Sequence, residues 1–338
     1  MIEHHSFHSI HGMPLQFHSN HPALADPAES FLRYFPEQPS NGTEPMRITF
    51  DAMDHWDDFP VALPPSSILV PDGRGKDRLI DLEHTKRRRK FYVDSGHFIL
   101  EDPAQGYRVL IQERQGVVNA YFVRPDMLEP EHQMRLLQFT LSCLLKVRGY
   151  ITLHATALEK NGRAILIPGN SGRGKTTAFI SLLRSGYRCL SDDHPLVHEN
   201  GNGLEILPFL EKVDVTEGTI ALFPELQQAG SLLYPGMRKR FFFVEEMYPQ
   251  GIGTISQPGL ILFPEVIKRR TSALEPIPGK RALDSLIRGS YMSRGNMAAK
   301  QEFHILSRLV AQSSCYRLLF GQDVLALPEL IDPLLRSC

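Results

Sequence analysis

Apolar and polar positions change their period several times along the chain. From Lys90 to Val123 the runs Phe91-Tyr92-Val93, Phe98-Ile99-Leu100, Tyr107 to Ile111 and Val117 to Val123 are separated by turns carrying Gly96, Gly106 and Gly116. Short β-type runs bounded by glycine turns predict an antiparallel meander. At Pro130 the spacing becomes helical: Met134, Leu137, Leu141, Leu144 and Leu145 share one face up to Val147, and Gly149 follows as a stop. Tyr150 to Leu158 alternates again and predicts a strand that contains His154. The Asn161-Gly162 hairpin signal joins it to a short apolar strand, Arg163 to Ile167. Lys175 to Arg184 predicts a helix with Ala178, Phe179, Leu182 and Leu183 inward and Gly186 at its end, and Arg188 to Ser191 a strand that stops at Asp192-Asp193. A further hairpin turns at Asn200 to Gly203. Residues 209–280 carry little pattern beyond the strand-like Leu260 to Phe263; after them come helices near Lys280 to Arg288 and Ala298 to Gln312, a strand at Cys315 to Phe320 and a last helix at Leu327 to Leu335. Before the meander, Ala23 to Phe35 suits a short helix, Met46 to Phe50 a short strand, and residues 36–80 loops rich in Pro, Ser, Gly and Asp. The fold class is α/β (α+β), with a mixed-sheet core over residues 130–338 and a small β-rich region over residues 1–129.

Between the strand at Arg163 and the helix at Lys175 stands Gly169-Asn170-Ser171-Gly172-Arg173-Gly174-Lys175-Thr176, followed by Thr177. It fills the G-x-x-x-x-G-K-[ST] template of a phosphate-cradling P-loop, in which backbone amides, helix dipole and lysine converge on one anion. Nucleotide binding follows, with Lys175 reaching the β- and γ-phosphates and the Thr176 hydroxyl a ligand of Mg²⁺. Asp192 and Asp193 end an apolar strand just downstream. They are the acidic counterpart that phosphoryl transfer needs: one carboxylate for Mg²⁺, one for the proton of an attacking hydroxyl. Adjacent carboxylates near a cation also have their pKa values driven apart, which suits two roles.

Composition narrows the partners. Lys and Arg total 37 against 38 Asp and Glu in 338 residues, so no global field recruits nucleic acid or an anionic membrane. Cys143, Cys189, Cys315 and Cys338 are scattered and read as free thiols, and no apolar run reaches the ~18 residues of a membrane span, which together predict a cytoplasmic protein. Six of the 14 histidines, His4, His5, His8, His11, His18 and His21, crowd the N-terminus. Without a cysteine or a helical i, i+4 pair, they read as a mobile or edge-strand tail rather than a metal site. The basic run Lys86 to Lys90 reads as a solvated edge or loop, while Arg238-Lys239-Arg240 and Lys268-Arg269-Arg270 are candidates for the cation that neutralises a transferring phosphoryl group. Lys239 and Arg240 are candidate phosphate or acceptor contacts, and either cluster could equally be surface.

The run from Leu153 to Asp193, L-H-A-T-A-L through G-N-S-G-R-G-K-T-T to C-L-S-D-D, resembles the catalytic core of the bacterial HPr kinase/phosphorylase family. Over its whole length the chain looks more like divergent HPr-kinase-related proteins, some of which phosphorylate a serine hydroxyl on a peptide or small molecule. The resemblance implies a fold akin to that family and to PEP carboxykinase, with strands around the P-loop partly antiparallel. It further implies that Lys175 binds phosphate, Thr176 and Asp193 hold Mg²⁺, Asp192 is the general base, and His154 supports that base or the phosphate. The expected activity is ATP- and Mg²⁺-dependent transfer to a hydroxyl acceptor, with residues 1–129 presenting the acceptor and a homo-oligomer compatible with the chain. The competing expectation is a nucleotide-dependent regulatory protein without acceptor chemistry, for which a single carboxylate would suffice.

Overall fold

The alternation over residues 90–123 folds as a meander, within a larger sheet whose other strands come from the N-terminus. The computed structural model describes residues 3–37, 42–60, 68–69, 90–94, 97–169, 172–229, 239–289 and 296–336. Two compact units divide the chain, residues 1–148 and 149–338.

In the first unit the strands are β1 (His4–Ile10), β2 (Met13–Ser19), β3 (Met46–Met53), β4 (Ile68–Leu69), β5 (Lys90–Asp94), β6 (His97–Asp102), β7 (Tyr107–Gln112) and β8 (Val117–Val123). They form an eight-stranded sheet in the order β1-β2-β3-β8-β7-β6-β5-β4. The histidine-rich segment is therefore an edge hairpin. Between β2 and β3 runs helix α1 (Pro22–Leu32), and a strand returned by a helix pairs in parallel: β3 is parallel to β2 and also to β8. One sheet face buries Leu15, Phe17, Ile48, Phe50, Val118 and Phe122; α1 packs on β2 and β3 through its own buried face, which holds Leu24, Ala28, Phe31 and Leu32. Helix α2 (Pro130–Lys146) packs against α1 and belongs to the first unit, which runs to residue 148. Its apolar face, with Leu137, Leu141 and Leu144 fully buried, completes the first core rather than starting the second.

The second unit is built on a six-stranded mixed sheet. In chain order it contains β9 (Tyr150–Thr152), β10 (Ala155–Lys160), β11 (Arg163–Pro168), α3 (Lys175–Arg184), β12 (Arg188–Ser191), β13 (Leu196–Glu199), β14 (Leu204–Leu207), β15 (Val213–Thr216) and α4 (Glu217–Leu222). There follow β16 (Lys239–Phe242), α5 (Val244–Met247), β17 (Gln257–Val266), β18 (Ala273–Pro276), α6 (Gly279–Gly289), α7 (Asn296–Ala311), β19 (Ser314–Phe320) and α8 (Leu327–Leu335). The large sheet runs β12-β10-β11-β17-β19-β18, with β14-β13-β9 and β15-β16 as smaller sheets. The P-loop strand β11 is antiparallel to β10 and parallel to β17, the partly antiparallel arrangement expected. Leu286, Ile305, Leu306 and Leu309 from α6 and α7 close one face in a core with Ala155, Ala157, Leu166 and Ile261. Helix α3 packs on β10 and against α8 and buries Phe179, Ile180 and Leu182, each worth about 1.5–3 kcal/mol of transfer free energy. The fold is thus a mixed α/β one. Among the described residues no helix is long and apolar enough to cross a membrane.

One expectation changes in a way that matters. Tyr150 to Leu158 is not one strand: it breaks at Leu153-His154 into β9 and β10, which belong to different sheets. The break is held by long-range backbone bonds, Leu153 N–H to Pro195 C=O at 3.1 Å and Ala155 N–H to Asp193 C=O at 3.1 Å. His154 is released from strand pairing at the corner where the chain changes sheets.

Candidate active site

Four stretches of the second unit converge at the ends of β10, β11 and β12. β11 stops at Pro168, and the chain turns through Gly169 to α3, whose N-cap Gly174 has φ 87° and ψ 8°. That left-handed conformation needs glycine, because a Cβ there crowds the next carbonyl. A Cβ on Gly174 would also sit 2.9 Å from Phe320 Cδ1, so the end of β19 presses against the start of the helix. A Cβ on Gly172 would meet nothing within 4 Å. Arg173 is exposed, while Lys175, Thr176 and Thr177 are half-buried in the first helical turn. Asn170 and Ser171 lie outside the described residues.

Lys175 Nζ donates to Asp193 Oδ1 at 3.0 Å and lies 3.4 Å from His154 Nε2. His154 Nδ1 is 3.2 Å from the same Asp193 oxygen. The other carboxylate oxygen faces His194 Nε2 at 4.0 Å, and His194 Nδ1 faces Glu211 Oε1 at 3.6 Å. Ligand atoms of His154, Asp193 and His194 lie within 4.8 Å of one another. Thr156, fully buried on β10, donates its hydroxyl to the Asp192 carbonyl at 2.7 Å and pins the acidic turn. A strap after α5 pins the strand that leads to it: Cys189 N–H bonds to Gly251 C=O at 2.6 Å, and Gly253 N–H to Cys189 C=O at 2.8 Å.

The two carboxylates titrate in opposite directions. Burial alone would raise Asp193, but the charges of His194, Lys175 and His154 outweigh it and hold the group below the usual carboxylate range. Asp192 keeps some accessible surface yet lies deep among protein atoms. Burial, then the charges of Asp193, Glu211 and Asp214, push it well above that range against the pull of Lys175. Burial also holds His154 below its ordinary value, with Lys175 and His194 acting in the same sense. His194 is raised, because the adjacent Glu211 and Asp193 carboxylates outweigh its burial. A carboxylate of lowered proton affinity beside the lysine thus stands next to one of raised proton affinity, an arrangement that suits two different roles.

The basic candidates separate. Arg240 on β16 is engaged by Glu217, Nε to Oε1 at 2.9 Å; β16 opens with Lys239, opposite Thr216. Arg238 and residues 86–89 lie outside the described residues. Lys268-Arg269-Arg270 is exposed and begins two residues past Val266, whose Cγ2 is 3.5 Å from a Cβ placed on Gly174. It therefore follows the strand end that borders the P-loop. Residues beyond the sequence reading also enter: His194, Glu211, Thr156, and the pair at the entry to β15 in which Lys212 Nζ, just before the strand, meets Asp214 Oδ1 at 3.0 Å. His194 was available as the third member of an Asp-Asp-His run; Glu211 and Lys212 had no local signal.

The oxygen donors of Thr176 and Asp193 are the kind Mg²⁺ takes, and the charged state of Asp193 fits that duty. No family model matches the chain, and no curated protein matches it. Among solved structures, the HPr(Ser) kinase/phosphatase from Coxiella burnetii aligns with 55% of this chain and 94% of that chain, at 16% identity and a TM-score of 0.27.

Proposed function

We propose that this chain is a Mg²⁺- and ATP-dependent kinase that phosphorylates a hydroxyl group, a serine of a peptide or a small molecule. The carrying observation is the pairing of a P-loop lysine 3.0 Å from Asp193 with a neighbouring Asp192 of opposite titration behaviour. When bound, ATP supplies the phosphoryl group and Mg²⁺ offsets the charge that develops on it. The chain's own residues do the rest. Lys175, now 3.0 Å from Asp193, would bind phosphate oxygens, and Asp193 with the Thr176 hydroxyl would hold the cation. Asp192, whose proton affinity is raised by burial and three carboxylate neighbours, orients the acceptor hydroxyl and accepts its proton. Thr156 keeps that carboxylate's backbone in place, and His154 backs both Lys175 and Asp193.

The test is transfer of label from γ-labelled ATP with Mg²⁺ to free serine, serine peptides and fractionated cell extract, with released phosphate counted in parallel. Label in an acceptor with wild type and none with Asp192→Asn, at equal nucleotide affinity, supports the kinase. ATP binding without transfer or hydrolysis in every pool selects the regulatory nucleotide switch instead.

A further inference from the structure

The N-terminal hairpin places histidines on two faces of its sheet, and only one face is committed. On the inner face His4 Nε2 meets Glu29 Oε1 at 2.9 Å, and His8 bonds to Ser6 Oγ at 2.9 Å and to the Phe35 carbonyl at 3.1 Å, so these residues tie β1 to α1 and to the loop after it. On the opposite face lie Glu3, His5 and His18. The two-residue turn His11-Gly12, with φ of 50° and 86°, fits the left-handed type I′ hairpin and fixes the register that sets His5 directly across from His18. Their rings are 4.3 Å apart at 31°. Glu3 Oε2 is 3.6 Å from His5 Nε2. One ligand atom from each of the three lies within 4.8 Å of the other two.

A fourth group supports the set from behind. On β3, parallel to β2, Asp51 sits two residues past Thr49, the partner of His18, and so on the same face. Its Oδ1 is buried, has no hydrogen-bond partner and is 3.7 Å from His18 Nδ1. A carboxylate behind an imidazole is what orients a metal-bound histidine and leaves its other ring nitrogen as donor.

We infer that Glu3, His5 and His18 form a Zn²⁺ site on the open face of the edge hairpin, with Asp51 as the positioning residue for His18. Two imidazoles and a carboxylate select a late first-row divalent ion over Mg²⁺ or Ca²⁺, and the exposed setting leaves a fourth position for water. Tetrahedral zinc with bonds of ~2.0–2.1 Å places neighbouring ligand atoms about 3.3 Å apart, so small side-chain rotations close the site. The ion would clamp β1, the strand at the sheet's exposed edge, to β2.

The cluster of His154, Asp193 and His194 also offers zinc ligands, so the experiment starts from the full-length chain carrying His154→Gln and His194→Gln. Metal-stripped protein is titrated with ZnCl₂ against a chromophoric chelator, and with CoCl₂ for its visible spectrum. The expected result is one zinc per chain, a tetrahedral cobalt spectrum, and a zinc-dependent rise in melting temperature. His5→Ala and His18→Ala should each abolish all three, whereas Asp51→Asn should weaken affinity by about 10–100-fold and Asp51→Glu recover part of it. Melting temperatures in chelator establish that the variants fold. The assignment is overturned if His5→Ala and His18→Ala keep the affinity of the starting protein, or if that protein binds no zinc at micromolar concentrations.

Discussion

Gly174 offers the sharpest test of how the P-loop is held, because two separable effects forbid a side chain there. An alanine at φ 87° adopts the left-handed region, at a cost of about 1–2 kcal/mol. Its Cβ would also stand 2.9 Å from Phe320 Cδ1 and 3.2 Å from Cε1, on a ring that is 3% exposed and has little room to swing. Overpacking of that kind adds about 1–3 kcal/mol. Gly174→Ala should therefore destabilise the second unit by about 2–5 kcal/mol, at roughly 2–4 °C of melting temperature per kcal/mol for a unit of this size. On the proposed function, a shift of the first helical turn by a fraction of an ångström should weaken ATP binding at least tenfold, since the amides that would face phosphate belong to that turn. Phe320→Ala removes the offending ring atoms, at a cost of its own of about 3–5 kcal/mol. In the double variant the clash vanishes and only the backbone strain remains, so the cycle should show a favourable coupling of about 1–3 kcal/mol. Urea and thermal unfolding give the stabilities and calorimetry the ATP affinity. Strict additivity, or a Gly174→Ala protein with wild-type stability and affinity, would refute this account of the loop.

Thr156→Val leaves the Asp192 carbonyl without its buried donor, so it should cost about 1–3 kcal/mol and lower transfer far more than nucleotide binding, as stability curves and paired kinetic and binding measurements would show. Asp192 is raised by burial and like charge, so the folded state prefers its protonated form. That preference supports folding below the ordinary carboxylate value of 3.8 and fades as pH rises through the raised one. Asp192→Asn should accordingly melt a few degrees above wild type near pH 8 and show no advantage near pH 3.5, read by calorimetry across pH. In the first unit, hydrogen bonds from His8, Ser6 and His4 outweigh burial and lower Glu29 from 4.5 to about 2. Its stabilisation is complete above pH 4.5 and is lost as pH falls toward 2; Glu29→Gln should remove about 1–2 kcal/mol at neutral pH, discounted for partial exposure, and flatten the acid limb of unfolding. Neutralising Lys268, Arg269 and Arg270 should weaken ATP binding severalfold in a salt-dependent way, whereas Arg240→Ala, which only releases Glu217, should leave it unchanged.

What was legible in the sequence was local. The strand Arg163–Pro168, the helix Lys175–Arg184 and the strand Arg188–Ser191 agree with their pattern to within a residue, because each is bounded by its own glycine, proline or charge. The break at His154 was not legible. Its alternation is strand-like on both sides, and what interrupts it is bonding to the Asp193 and Pro195 carbonyls about forty residues away. Glu211 and Asp214 reach the acidic turn by tertiary placement alone, from a stretch with no periodic pattern. The parallel pairing of β3 with β2 and β8 likewise depends on where α1 returns the chain, which no short window encodes. The His5–His18 pair illustrates the same limit in miniature: a helical spacing test passes over it, and only the hairpin register brings the two rings together.

The His154 corner also explains why the two aspartates differ. Because Ala155 N–H takes the Asp193 carbonyl and Thr156 Oγ1 takes the Asp192 carbonyl, the acidic turn is fastened to the first two residues of β10, and β10 is in turn the antiparallel neighbour of the P-loop strand. That fastening leaves Asp193 beside Lys175 and His154, and Asp192 among Glu211 and Asp214. Adjacent in sequence, they meet fields of opposite sign. Loosening the corner should therefore bring the two titrations together before it unfolds the sheet. A Thr156→Val chain in which Asp192 and Asp193 keep their separation, measured by carboxyl NMR titration, would mean that the Thr156 bond is not what holds them in their separate fields.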